Sequence, residues 1–254
     1  MQQLSLFDQA PQTRAKIELK ELFEAYFSCR KNKRNTANAL VFEIDYETKL
    51  IQLCHEINNG TYQIGQSVAF IVNNPVKREI FAAYFRDRIV HHLLINKLNP
   101  LFEKEFIHDS YGCRVNKGTH FGIKRVDTFI RKCSKNYTQD CYALKLDIQG
   151  FFMHINKAIL WQQLQAFIKA KYHNADQSLI LRLTKQVVFN NPTRNCIIKG
   201  QRSHWHGLPS NKSLFHSPSN CGLPIGNLTS QVFANFYMNT LDHYAKHHLK
   251  IKYY

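Results

Sequence analysis

The most informative stretch of this chain is Tyr142-Ala143-Leu144-Lys145-Leu146-Asp147-Ile148-Gln149-Gly150-Phe151-Phe152. Apolar and polar residues alternate up to Asp147, and this period of two is typical of a half-buried β-strand. We therefore predict a strand over residues 140–148, with the carboxylate of Asp147 at its exit and two aromatic residues shortly after it.

A carboxylate at the end of a strand has two interpretations. Asp147 could hold Mg²⁺, which takes few protein ligands and leaves coordination positions open to substrate phosphates. It could also cap the turn that follows the strand. The stretch by itself favours the cap.

A second informative segment reads Cys221-Gly222-Leu223-Pro224-Ile225-Gly226-Asn227-Leu228-Thr229-Ser230-Gln231. A glycine-proline turn runs into a helix that Asn227 is placed to cap. Glycine before a helix N-terminus lets the backbone approach a phosphate or a base closely. Plain helix capping explains the same residues, so this segment is not decisive alone.

The composition describes a basic globular protein. The 254 residues carry 34 Lys and Arg against 18 Asp and Glu, a formal net charge of +16, and the basic residues are spread along nearly the whole chain. Disorder, collagen and a disulfide mini-scaffold are excluded, and the charge calls for a polyanionic partner. Seven scattered Cys without a C-x-x-C pair predict reduced thiols and a cytoplasmic location, and no apolar run is long enough to span a membrane.

The periodicity predicts a tail over residues 1–12, a helical region over 13–60 and one larger unit over 61–254 with an insertion at about 191–221. Two strands joined through Asn73-Asn74-Pro75 form a hairpin within residues 61–83. The predicted helices cover residues 13–31, 46–58, 86–106, 157–171, 177–190 and the segment after Asn227. Asp45 is placed to cap the second of them.

Taken together and in this order, the two segments resemble the first catalytic motif and the substrate-pocket motif of reverse transcriptases, and most closely those of diversity-generating retroelements. Two fingers motifs also match, in Lys77-Arg78-Glu79-Ile80 with Arg86-Asp87-Arg88-Ile89-Val90 and in Ser110-Tyr111-Gly112-Cys113-Arg114. Ile225 stands where most reverse transcriptases have Gln, and Ser230-Gln231 where most have Ser-Pro. Both departures are characteristic of the retroelement type, and the resemblance spans residues 62–254.

The resemblance implies an α+β fold, with the fingers and a partial palm of a right-hand polymerase and no thumb. It implies an RNA-directed DNA polymerase that extends a primer on a template RNA and makes cDNA with frequent errors. The sequence stops at Tyr254, before the expected Tyr-x-Asp-Asp hairpin that carries the other catalytic carboxylates. We therefore expect the chain alone to be inactive.

The resemblance also assigns roles to single residues. Asp147 would be the catalytic carboxylate and would bind Mg²⁺ together with the backbone carbonyl of Ile148. Lys77 and Arg78 would contact the incoming dNTP triphosphate, and Phe152 would contact the sugar as a gate against a 2′-hydroxyl. Ile225 and Gly226 would contact the templating base pair, and Arg114 would contact template or triphosphate. The alternative for Phe152 is a core aromatic residue. Irregular spacing favours surface histidines over a zinc site for His204, His206 and His216.

The N-terminal tail carries the short pattern Gln3-Leu4-Ser5-Leu6-Phe7. It resembles the peptides by which bacterial polymerases dock on the sliding clamp, with Leu4, Leu6 and Phe7 as apolar anchors and Gln3 at the rim of the pocket. The alternative is a latch that tucks against the domain. An accessory protein of the retroelement is a further implied partner.

Two other classes of function stay open. One is a catalytically inactive module that binds nucleic acid through its basic surface. The other is a reverse transcriptase of another prokaryotic kind, such as a phage-defence enzyme. An Asp-Asp pair encoded shortly after Tyr254 would favour a polymerase over the inactive module.

Overall fold

The computed structural model describes residues 16–31 and 36–254, which form a helix-rich α+β fold with one small sheet. The described helices are α1 (Leu19–Arg30), α2 (Ala37–Glu43), α3 (Tyr46–Asn59), α4 (Phe85–Glu105), α5 (Thr119–Cys133), α6 (Phe151–His154), α7 (Lys157–Lys171), α8 (Gln177–Phe189) and α9 (Leu228–His243). The strands are β1 (Ser67–Val72), β2 (Arg78–Ala83) and β3 (Cys196–Ile198). Short 3₁₀ turns punctuate residues 192–216, and a π-helical turn (Tyr244–His248) follows α9.

Helix α4 is the centre of the core. Apolar residues occupy most of its faces, so it is buried between α1 and α9 rather than lying on the surface. Phe102 of α4 stacks on Phe167 of α7 at 5.2 Å between ring centroids and lies 4.8 Å from Phe236 of α9. These contacts join the N-terminal helices to the C-terminal ones in a single apolar cluster.

A partly buried ion-pair network links three helices of this core. Lys97 of α4 pairs with Glu21 of α1 and, at 2.9 Å, with Asp176 at the start of α8. Burial alone would lower the pKa of Lys97, but the hydrogen bonds to the two carboxylates outweigh it and raise the pKa. The lysine therefore stays charged and ties three helices together.

The sheet has the order β2-β1-β3. β1 and β2 are antiparallel, with Val72 opposite Arg78 and Ser67 opposite Ala83, so the predicted hairpin is confirmed. β3 pairs parallel to β1 through the first three residues of β1. The region predicted as an insertion thus adds the third strand to this sheet.

The predicted helices are confirmed closely where their periodicity is strong, since α4, α7 and α8 begin and end within one or two residues of the predicted positions. The two expected caps differ in detail. Asp45 and Asn227 occupy the N-cap positions of α3 and α9, but neither side chain bonds to its helix. The side chain of Asn227 instead accepts a hydrogen bond from the backbone N–H of Ala83 in β2 (3.0 Å).

The predicted strand over residues 140–148 is wrong for this structure, where the segment has no regular secondary structure. Its alternating apolar side chains are almost fully accessible, with Tyr142 91%, Leu144 84% and Leu146 80% exposed. A strand needs a hydrogen-bonding neighbour and an apolar surface to cover one face, and no described segment supplies either. The alternation of apolar and polar residues marks a segment that could pair as a strand, but it does not show whether a neighbouring strand is present.

The structure also bears on the predictions about thiols and membrane spans. All seven cysteines are free thiols. None of the helices in residues 16–31 and 36–254 is long and apolar enough to cross a lipid bilayer.

Candidate functional site

Backbone hydrogen bonds hold the two most informative motifs side by side. The N–H of Leu223 donates to the carbonyl of Phe152 (2.8 Å), and the N–H of Gly222 donates to the carbonyl of Ile155 (2.9 Å). Both bonds leave side chains free to face outward or into the core. The glycine-proline loop therefore lies against the segment that follows Asp147.

Strand β2 joins the same assembly from the other side. The N–H of Phe81 donates to the carbonyl of Ile225 (2.8 Å), and the N–H of Ala83 donates to Oδ1 of Asn227 (3.0 Å). The structure thus brings three predicted motifs to one place. We call this place the motif junction, formed by β2, residues 151–156 and residues 221–227.

Gly226 is required for the close approach of the loop to β2. Its backbone has φ +122°, and a Cβ at this position would lie 2.8 Å from Cγ2 of Ile80 and 3.3 Å from the carbonyl oxygen of Phe81. Any larger residue would push the loop away from the strand. Gly226 is exposed, so its backbone is accessible to a ligand.

Phe152 and Ile225 are half-buried neighbours of one small apolar cluster. The buried members of that cluster are Ala69, Phe81, Met153 and Leu214. Phe152 also packs against the main core and meets the Phe151 ring edge-on at 5.6 Å. This packing suits both a gate beside a ligand and a core aromatic residue, and the gate stays a prediction.

Arg78 is the first residue of β2 and Lys77 directly precedes it, so both lie on the edge of the motif junction. Nζ of Lys77 donates to the backbone carbonyl of His206 (2.6 Å), so this amine is held by the insertion. The Arg78 side chain is exposed. Arg78 is therefore the freer of the two cations to meet a phosphate, and both triphosphate contacts stay predictions.

Asp147 is exposed and forms no hydrogen bond or ion pair with any described residue. The carbonyl of Ile148, the second predicted ligand, accepts a hydrogen bond from the N–H of Phe151 (3.2 Å). The turn that follows is closed by Gly150 (φ +62°), where a Cβ would lie 2.6 Å from the carbonyl oxygen of Asn211. The insertion backbone thus packs directly on the turn after Asp147.

The donor set does not fit a magnesium site that holds two ions. Such a site needs several carboxylate oxygens around the metals. In residues 16–31 and 36–254 no group of three or more His, Cys, Asp or Glu side chains could hold a metal ion. Asp147 alone is too small a set, and we assign no chemical step to Mg²⁺ in residues 1–254 by themselves.

The contacts of Arg114 lie outside the motif junction. Its guanidinium donates to Oε2 of Glu103 (2.9 Å) and to the carbonyls of Ile107 (2.7 Å) and Ser110 (2.8 Å), and its side chain is only 6% exposed. These bonds hold the loop after α4. The structure does not bring Arg114 to the other predicted residues, and its contact with template or triphosphate stays a prediction.

Sequence reasoning did not single out Glu79, although it is the buried carboxylate of the motif junction. It accepts hydrogen bonds from Nε1 of Trp205 (2.6 Å), from Oγ of Ser213 (2.8 Å) and from the N–H of Leu214. A usable signal existed, since residues 79 and 81 share one face of β2 and Phe81 is apolar. An acid on the core face of a strand implies a buried set of donors.

His91 is a second buried polar residue that the sequence did not indicate. Its Nδ1 lies 2.6 Å from Oγ1 of Thr229, which links α4 to the first turn of α9 just after the glycine-proline loop. Burial lowers the pKa of His91 to about 3, so the imidazole is neutral in the folded protein. The loop is thereby fixed from its C-terminal side.

The remaining predicted residues fall outside the junction. His204, His206 and His216 are exposed, as expected for surface histidines. Gln3, Leu4, Leu6 and Phe7 lie outside the described residues, so clamp binding and the latch both stay predictions.

Comparison with known proteins identifies the class. The model of the family described as "Reverse transcriptase (RNA-dependent DNA polymerase)" matches residues 77–254, more than half of the chain. The helix-rich α+β fold with its small sheet is consistent with polymerase fingers and palm. The chain belongs to the reverse transcriptase family.

Two curated proteins are similar to this chain over part of their length. "Nuclear intron maturase 1, mitochondrial" of Arabidopsis thaliana is 29% identical over 85 residues, which is 34% of this chain and 11% of the maturase. "Protein YkfC" of Escherichia coli (strain K12) is 22% identical over 209 residues, 82% of this chain and 48% of YkfC. The chain thus spans about half the length, or less, of these relatives.

Proposed function

We propose that residues 1–254 form the fingers and part of the palm of an RNA-directed DNA polymerase of the diversity-generating retroelement type. The observation that carries the proposal is the motif junction, where β2, the segment after Asp147 and the glycine-proline loop meet through backbone hydrogen bonds. In this proposal template RNA, primer and dNTP are the ligands. The seven free thiols support a location in the cytoplasm, where cysteines are kept reduced.

The residues of the junction divide the task by their chemistry. Arg78 presents a permanent positive charge and a planar fork, which suit a triphosphate. In this proposal Phe152 lies beside the sugar, where its ring would collide with a 2′-hydroxyl. Ile225 and Gly226 offer an aliphatic side chain and an accessible backbone to the templating pair, and neither reads base edges through a side-chain hydrogen bond.

Catalysis in this proposal needs carboxylates in addition to Asp147. We propose that a palm hairpin with the Tyr-x-Asp-Asp pattern, outside residues 1–254, supplies them and covers the exposed apolar side chains of residues 142–148. Mg²⁺ bound by that completed set would supply the activation of the primer hydroxyl.

The test is primer extension on an RNA template. Pure residues 1–254 should incorporate no dNTP, and a protein that joins them to a Tyr-x-Asp-Asp hairpin and a thumb should do so. In the joined protein Asp147→Ala should abolish synthesis, with Asp140→Ala as the matched control seven residues earlier. Extension by the 254-residue chain alone, or full activity of Asp147→Ala, would contradict the proposal.

A second candidate function is an inactive module that binds nucleic acid. The exposure of Asp147 and the lack of other metal ligands with it, within the described residues, favour this alternative for residues 1–254. It predicts nucleic-acid binding in the joined protein but no synthesis. The same primer-extension assay therefore decides between the two.

A further inference from the structure

Two of the seven cysteines lie next to each other in the structure. Cys133 is the last residue of α5, and residues 134–140 separate it from Cys141. The two thiols share a hydrogen bond, which raises the pKa of the Cys141 thiol. Because hydrogen-bonded thiols are in contact, their sulfur atoms can join with little movement of the backbone. We call these two residues the thiol pair.

A tight turn after α5 brings the thiol pair together. Residues 135–137 all have positive φ, so the chain reverses direction directly after the helix. The N–H groups of Thr138 and Gln139 donate to the carbonyl of Ser134 at 2.9 and 3.1 Å. Nε2 of Gln139 donates to the carbonyl of Cys133 itself (2.9 Å). The backbone is therefore held against the end of α5 two residues before the second cysteine.

The thiol pair differs from other accessible thiols in what each sulfur atom faces. Cys133 and Cys141 are half-buried, so a small molecule can reach them. Cys113 donates to a side-chain oxygen of Gln231 (3.4 Å), and Cys196 donates to a backbone carbonyl (4.0 Å). Those two thiols face oxygen atoms, whereas each member of the thiol pair faces a sulfur atom.

We propose that Cys133 and Cys141 form a disulfide on reaction with a small disulfide such as oxidised glutathione, and that this bond ties the end of α5 to the segment that leads to Asp147. The inference goes beyond the proposed function and does not rest on it. In a reducing cytoplasm the pair stays a dithiol, and it responds when the pool of small thiols becomes oxidised.

The reaction is a thiol–disulfide exchange in two steps. One cysteine loses its proton to solvent, and its thiolate attacks a sulfur atom of the small disulfide, breaks that S–S bond and releases one small thiolate. The second cysteine, also as a thiolate, attacks the protein sulfur atom of the mixed disulfide, forms the Cys133–Cys141 bond and releases the second small thiolate. Two electrons pass from the pair to the small disulfide, and the two protons end on the released thiols.

The cross-link acts at the start of the accessible apolar segment of residues 142–148. In the dithiol form, hydrogen bonds of the turn hold this place on the chain. A covalent bond removes conformations that the open chain can reach. We therefore expect the disulfide to slow cleavage by trypsin after Lys135, inside the closed loop, and to leave cleavage after the exposed Lys212 unchanged. Equal rates at Lys135 in the two redox forms would overturn the tether.

The main test measures the disulfide in the 254-residue chain. The protein is equilibrated with mixtures of reduced and oxidised glutathione at about pH 8, where thiolates form readily, and the linked peptides are quantified by mass spectrometry after acid quenching. The same mixtures are applied to the chain in urea. We expect the equilibrium constant for the Cys133–Cys141 bond to be about tenfold or more larger in the folded chain, because the fold holds the two sulfur atoms in contact. An equal or smaller constant in the folded chain would overturn the proposal.

Three single variants test the pairing. In Cys133→Ser and in Cys141→Ser the remaining cysteine should retain glutathione as a mixed disulfide, since no second sulfur atom displaces it. Cys113→Ser is the matched control and should form the Cys133–Cys141 bond like the wild type. A linked peptide that joins the remaining cysteine to another position of the folded chain would overturn the assignment.

Misfolding is controlled by thermal melting of each reduced variant. If a variant of the thiol pair melts early, the comparison between folded and urea-treated wild type decides, because it needs no substitution. A folded wild-type chain in which glutathione stays bound to Cys133 or Cys141 and no linked peptide forms would also overturn the proposal. None of these outcomes depends on polymerase activity, so they leave the proposed function untouched.

Discussion

At Ile225 the backbone and the side chain have separate tasks. The carbonyl of Ile225 accepts the N–H of Phe81, so the position of the residue against β2 does not depend on its side chain. The side chain is half-buried on the small cluster around Phe81. A substitution here can therefore change what a ligand meets without moving the loop.

We expect Ile225→Gln to lower misincorporation in the complete polymerase by roughly two- to tenfold, because one added hydrogen bond contributes about 0.5–1.5 kcal/mol of discrimination. The effect should be largest at template adenines. Sequencing of cDNA from a defined RNA template measures it. Ile225→Leu is the matched control, and an unchanged error spectrum in Ile225→Gln would reject Ile225 as the cause of low fidelity.

His91 predicts how stability depends on pH. Burial lowers its pKa to about 3 in the folded protein, whereas the unfolded chain has a pKa near 6.5, so between these values the unfolded state binds the extra proton. The free energy of unfolding should then fall as the pH falls from about 6.5 to about 3, by up to about 1.4 kcal/mol per pH unit from this residue. Urea unfolding at several pH values measures the slope.

The variant His91→Gln isolates this contribution. Gln keeps a polar partner for Thr229 and does not titrate, so the slope between pH 6 and 4 should be shallower than in the wild type. His120→Gln is the control, since His120 is exposed. Equal slopes in wild type and His91→Gln would show that the imidazole is already accessible to protons in the folded state.

At the scale of elements, Glu79 joins β2 to residues 196–217 through three donors. Glu79→Gln keeps the size of the side chain but presents an NH₂ group to donors, so at least one of them loses its partner. We expect a loss of about 1–3 kcal/mol in the free energy of unfolding and faster proteolysis within residues 196–217. Glu24→Gln, on the exposed face of α1, should leave both unchanged. Unchanged protection of residues 196–217 in Glu79→Gln would mean that apolar packing alone holds this segment.

Local signals predicted some elements well and others not at all. The predicted bounds of helix α7 match the structure to the residue, and its apolar residues recur at helical spacing after the side-chain cap of Asn156. Helix α5 was not predicted, although Ile123, Val126 and Ile130 have that spacing, and none of its residues is buried. The apolar spacing of an amphipathic helix was thus present in the sequence, although no described neighbour buries that apolar face.

The candidate functional site was predicted only in part from the sequence. Phe152 and Ile225 belong to the two motifs that the sequence analysis singled out, and the structure packs both against one small apolar cluster. The state of residues 142–148 depends on a neighbouring strand, which no local pattern reveals. The side chain of Asn227 likewise bonds to β2 rather than to its own helix, a choice set by tertiary contact.

At the scale of the whole molecule, the net charge of +16 predicts how binding responds to salt. If the chain contacts six or more phosphates, its affinity for RNA should fall by about a thousandfold or more between 50 and 200 mM salt. Fluorescence anisotropy with an RNA–DNA heteroduplex and with RNA measures this, and heparin serves as the competitor. An affinity that does not respond to salt would contradict an electrostatic interface, and equal competition by heparin and structured RNA would indicate charge without shape.

The bonds made by Glu79 also set an order of events during synthesis of the chain. Its donors Trp205, Ser213 and Leu214 follow it by 126, 134 and 135 residues. A ribosome adds about 5–20 residues per second, so the hairpin of β1 and β2 leaves the exit tunnel on the order of ten seconds before its partners exist. During that interval the carboxylate is hydrated and the face of β2 is open. The core face of the nascent hairpin therefore stays open until residues 205–214 have been made.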